Sequence, residues 1–78
     1  MSYVNLSRSQ IGDAELACFE ELPDVEVLDL SGTNVTDEGL EHLKGLRGLQ
    51  ILILDGAHVT AEGVARLKRA LPHATIFH

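Results

Sequence analysis

Cysteine is almost missing from this chain: Cys18 is its one thiol in 78 residues, so no internal disulfide can form. A unit of this size without covalent staples buries only ~60–65 % of its unfolded surface and depends on its apolar core or on a partner. The lone thiol fits a cytoplasmic location, which is the expectation here. Tryptophan is absent and only three residues are aromatic, Tyr3, Phe19 and Phe77. No apolar run approaches the ~18 residues of a membrane helix. The opening "MSYVNLSRSQ" shows no basic segment followed by an apolar stretch, so no secretory signal is expected there.

Basic charge is also scarce, and it is unevenly placed. The chain holds 6 basic against 12 acidic residues, a formal net charge of −6. Residues 1–38 contain nine acids and only Arg8, whereas residues 39–78 contain three acids and five bases. An acidic front half opposes a nucleic-acid backbone as partner. The small basic cluster "RLKRA" reads as a solvated helix face.

What the chain does have is repetition. "LDLSGTNVTDEGL" (28–40) returns 24 residues later as "LILDGAHVTAEGV" and stands 24 residues earlier, more worn, as "VNLSRSQIGDAEL". Five apolar columns keep this step: Val4, Leu28, Leu52; Leu6, Leu30, Leu54; Ile11, Val35, Val59; Leu16, Leu40, Val64; Phe19, Leu43, Leu67. A fixed period of this kind decides the architecture before anything else. Within each copy the apolar spacing begins at two, as a strand requires, and changes to three, as the buried side of a helix requires. Thr36 and Thr60 stand where N-caps belong, with Asp37, Glu38 and Glu62 in the first turns. Each copy therefore reads as strand, tight turn and returning helix, with successive strands parallel and all helices on one face.

The strings "LDLSGTNV" and "LILDGAHV" resemble the leucine-rich repeat pattern L-x-x-L-x-L-x-x-N-x-L, with Thr33 and Ala57 where asparagine is usual. The continuation "TDEGLEHLKGLRGL" is similar to bacterial-type repeats with a V-T-D-x-G-L segment and a convex-side helix. The resemblance implies an α/β fold, a short leucine-rich repeat solenoid with strands on the concave face and helices on the convex face. One domain over 1–78 is expected, with repeats at about 3–26, 27–50 and 51–74 and a closing strand at about 75–77. One extra residue near Leu71–Pro72 sets Phe77 against Leu52 in this reading. Thr33 can do part of the missing asparagine's work in the turn, Ser9 is weakly suited to it, and Ala57 cannot do it. Gly39 and Gly63 recur in the first helical turn, which implies close approach of a neighbouring repeat. Glu15 and Arg8, where later copies have glycine, are expected if the first copy acts as a cap, and plain sequence drift accounts for the same letters.

Strand alternation sends Leu28 and Leu30 inward and their neighbours to the open face. The columns expected there are Tyr3, Val27, Ile51 and Ile76; Asn5, Asp29, Ile53 and His78; and Ser7, Ser31 and Asp55. An apolar stripe of Val27, Ile51 and Ile53, rimmed by Asp29, Ser31 and Asp55 with Tyr3 and Asn5 at one end, suits partner binding. In the family this surface is the usual one for a protein partner, which implies a non-catalytic interaction module. The alternative is a structural remnant or terminal piece of a longer array, acting by self-association through exposed ends or as the cap of a receptor or adaptor.

Other chemistries lack their motifs. Asp29, Ser31 and His78 cannot form a triad, since two strand spacings, ~9.6 Å, separate Asp29 from His78. Elbow, phosphate-loop and paired-carboxylate motifs are missing, so no enzyme is expected. His42, His58, His73 and His78 have no metal-ligand spacing, so neither a metal nor another cofactor is expected. Cys18 has no partner cysteine or base in the sequence and is expected at a partly accessible helix edge.

Overall fold

The computed structural model describes residues 2–17 and 24–78. The expectations for Cys18 and Phe19 fall outside the described residues. Four strands, β1 (Ser2–Asn5), β2 (Val25–Asp29), β3 (Ile51–Ile53) and β4 (Thr75–Phe77), alternate with helices α1 (Asp13–Leu16), α2 (Asp37–His42) and α3 (Ala61–Ala70). The strands form one parallel sheet in the order β1-β2-β3-β4. Each crossover carries a helix back over the same sheet face, with α1 beside α2 and α2 beside α3. The leucine ladders expected from the 24-residue step fill the space between the layers. Leu16, Leu28, Leu30, Leu40, Leu43, Leu52, Leu54 and Leu67 are all at most 1 % exposed.

Beyond His42 the second helix tightens into a 3-10 turn, Leu43–Gly45. The physical reason is already in the spacing: Leu40, Leu43 and Leu46 stand three apart, the period of a 3-10 turn rather than the 3.6 of an α-helix. All three are buried, so the tighter turn keeps them on one line.

The turns after the strands repeat a left-handed residue at one position, with φ of 58° at Arg8, 69° at Gly32 and 80° at Gly56. The hydroxyl of Thr33 donates to the Leu30 carbonyl at 2.7 Å. Ser9 donates equivalently to Leu6 at 2.6 Å, so it is as well suited to the turn as Thr33. Ala57 has only its backbone N–H to offer, which donates to Leu54 at 3.0 Å.

Thr36 and Thr60 cap α2 and α3 by accepting from Glu38 N–H and Gly63 N–H. Each cap is gripped by the preceding helix. Asp13 accepts from the Thr36 N–H at 2.7 Å and from its hydroxyl at 2.5 Å. Asp37 does the same for Thr60, at 2.8 and 2.6 Å. This explains the recurring glycine, because a Cβ at Gly39 would strike Asp13 and one at Gly63 would fall on the Asp37 carboxylate. In the first copy Glu15 occupies the glycine position, and its carboxylate accepts from Gly12 N–H.

Register at the last strand differs from expectation. The turns Leu46–Leu49 and Leu71–Ala74 make the same bond, Leu49 N–H to Leu46 and Ala74 N–H to Leu71, each 3.0 Å. They are offset by 25, as the extra residue requires. Leu49, however, is followed by Gln50 before β3 begins, whereas Thr75 follows Ala74 at once. Loss of that spacer restores the step of 24, and Ile51 pairs with Thr75, Leu52 with Ile76 and Ile53 with Phe77. Ile76 consequently packs on the core. Phe77 goes to the open face.

Candidate protein-interaction surface

The sheet face turned away from the helices carries two complete rows. Register places Tyr3, Val27, Ile51 and Thr75 in one, and Asn5, Asp29, Ile53 and Phe77 in the other. Ile76 and His78, expected in these rows, are replaced by Thr75 and Phe77; strand alternation aims Ile76 inward and sets His78 out of the row. Of the expected residues, Tyr3, Asn5, Val27, Asp29, Ile51 and Ile53 are brought together. Ser31 and Asp55 follow β2 and β3 at the rim, with Ser31 half-buried and Asp55 exposed.

The apolar stripe is not evenly available. Val27 is only 8 % exposed although it lies outside the main core cluster, so it forms the floor rather than a contact point. Ile51 and Ile53 are half-buried. The exposed apolar surface stands on the two outer strands, with Tyr3 59 % and Phe77 51 % exposed. Sequence reasoning missed Phe77. The signal that could have found it is the missing spacer between Ala74 and Thr75.

The polar residues at the strand ends also have local work. Asp29 Oδ1 accepts the Ser31 N–H at 3.0 Å, and Asn5 Oδ1 accepts both the Ser7 N–H at 3.0 Å and its hydroxyl at 2.7 Å. These bonds form where a short side-chain acceptor precedes a tight turn by two residues. Ile53 interrupts the series in the third copy. At the start of the strands Gln50 Nε2 donates to Glu26 Oε2 at 3.1 Å.

Asp29 and Ser31 are joined through the turn, and His78 lies beyond β4 at the far edge. The His73 ring lies 2.8 Å from the Arg47 carbonyl and Lys68 donates to the Ala74 carbonyl, which ties the final loop to its neighbours. Among the described residues no three metal-ligating side chains converge. No described helix is long and apolar enough to cross a membrane.

The sheet-and-helix stack is that of a short leucine-rich repeat solenoid. A family model described as Leucine Rich repeat matches residues 21–44, the stretch holding β2 and α2, and supports a place among leucine-rich repeat proteins. No curated protein matches the sequence. Among solved structures, a chain from the structure of Chaetomium Mex67:Mtr2 subunits superposes with a TM-score of 0.81 at 24 % identity, over 99 % of this chain and 53 % of that one. That likeness concerns the fold. The present chain spans about half the length of its structural neighbour.

Proposed function

We propose that this chain is a non-catalytic protein-interaction module, of the repeat type with a V-T-D-x-G-L segment, that docks a partner on the open sheet face. The observation that carries this reading is a pair of exposed aromatics, Tyr3 and Phe77, on the outer strands of a face whose floor is Val27, Ile51 and Ile53. Interfaces favour aromatic side chains at their centres because these bury much area at little entropic cost. The family match supports the reading, since leucine-rich repeats generally serve protein binding. Asn5, Asp29, Ser31 and Asp55 would supply the polar rim.

Affinity capture from native extract tests it, with wild type, Tyr3→Asp/Phe77→Asp and the helix-layer variant Arg69→Ala. The bound proteins should be lost from the aromatic variant and kept by Arg69→Ala. Identical bound sets for all three would overturn the assignment. A second reading, self-association, is favoured by one feature: β1 and β4 are the outer strands of the sheet, so each leaves a strand edge without a partner among the described residues.

A further inference from the structure

Among the described residues the open face carries charge of one sign only. Asp29 and Asp55 line its turn-side rim, and none of the described residues in its two rows is a lysine or arginine. Arg8 sits in the left-handed turn beyond β1 with its side chain against Gly32. Lys44 lies in the 3-10 turn and pairs with Glu41, Arg47 stands in the loop before β3, and Arg66, Lys68 and Arg69 belong to α3 in the helix layer across the core. A partner segment on the open face thus meets an apolar floor beside two carboxylates, with no lysine or arginine in the same rows among the described residues.

The face also selects a backbone. Ladder hydrogen bonds run within the plane of the sheet, so an extended peptide laid on the face finds no backbone partners. A helix satisfies its own backbone groups and needs only side-chain contact. From β1 to β4 the face spans three strand spacings, ~14 Å. Helix positions i, i+4 and i+7 cover ~10.5 Å along one stripe. Three anchors of that spacing fit between Tyr3 and Phe77, above Ile51 and Ile53.

We infer that the open face takes an amphipathic helix bearing lysine or arginine, laid across the strands with its apolar stripe between Tyr3 and Phe77 and its basic flank along Asp29 and Asp55. This rests on the open face being the docking surface. The carboxylates steer and orient the helix, and the apolar floor holds it.

The test uses nitrogen-15 NMR titration of the full chain with three designed helical probes. One has leucine at i, i+4 and i+7 with a lysine flank, one replaces the lysines by glutamate, and one scrambles the order of the first. The lysine probe should shift the amides of Tyr3, Ile51 and Phe77, and its affinity should fall as salt rises. The glutamate and scrambled probes should bind at least roughly tenfold more weakly. Asp29→Asn/Asp55→Asn should weaken the lysine probe by about fivefold. The fold is preserved in that variant because asparagine keeps an acceptor for the Ser31 N–H, as Asn5 does for Ser7. Equal binding of the glutamate or scrambled probe, or no binding of the lysine probe, overturns the inference. If Tyr3→Ala/Phe77→Ala weakens all probes alike while charge has no effect, the docking face stands and the basic partner falls. Shifts confined to the helix layer for every probe would remove both.

Discussion

Arg8 shows how one residue can carry the cost of a shared backbone. The turn after each strand needs a left-handed residue, and two copies use glycine, whereas the first holds an arginine at φ 58°. An L-residue there is strained by ~1–2 kcal/mol because its Cβ crowds the following carbonyl. Arg8 N–H nevertheless makes the same step to the next copy, donating to Ser31 at 2.7 Å as Gly32 donates to Asp55 at 2.8 Å. Arg8→Gly should keep that bond and relieve the strain, less the greater backbone freedom glycine loses on folding. The expected net gain is ~1 kcal/mol, a rise in melting temperature of about 4–8 °C for a domain of this size. An unchanged or lower melting temperature by calorimetry would count against a strained turn.

At the level of the element, the helix start is a joint between copies. Threonine caps its own helix, aspartate of the preceding helix holds that threonine through two bonds, and glycine leaves the aspartate room. The motif T-D-x-G is therefore one device whose parts act across a copy boundary. Glu15→Gly should lower the melting temperature only modestly: it loses the bond from Gly12 N–H and places a glycine in a helix, but it displaces no aspartate among the described residues. Gly63→Glu must expel the Asp37 carboxylate from both its bonds and should lower the melting temperature strongly. Equal shifts for the two would contradict the joint.

The same joint responds to acid. The Thr60 hydroxyl, and after it the Thr60 backbone N–H, hold Asp37 below its ordinary value of 3.8. A carboxylate depressed in the folded state contributes its full stabilisation above the unfolded pKa, and loses it as pH falls through the folded one. The gap in melting temperature between wild type and Asp37→Asn should thus be constant near neutrality and close below about pH 4. A gap that stays constant into acid would show that the Asp37 charge does not matter to the joint.

For the molecule as a whole, two kinds of sheet surface stay open among the described residues. The core fills the space between sheet and helices, so among the described residues the sheet face away from the helices and the two outer strand edges stay uncovered. If the edges dominate, mass by light scattering should rise with concentration, and the melting temperature should rise with it. If the open face dominates, the chain should scatter as a monomer of 8.5 kDa. Tyr3→Asp/Phe77→Asp would then leave that mass unchanged while removing the partner.

Residues in the sequence determined the order of strands and helices, the inward columns such as Leu28–Leu52 and Leu40–Val64, and which strand neighbours share the open face. These follow from periods of two and three within a copy and a step of 24 between copies, all of which are visible along the chain. Only the tertiary structure decided the rest. The register of β4 depended on whether one residue was lost before Thr75, and that choice moved Phe77 outward and Ile76 inward. The near-complete burial of Val27 depended on its surroundings in the folded sheet rather than on its own strand. The aspartate–threonine joint links residues 23 apart, and its two halves meet only when neighbouring helices stand side by side. Periodicity is a local property and can be read from letters; register, burial and cross-copy bonding are properties of pairs brought together by folding.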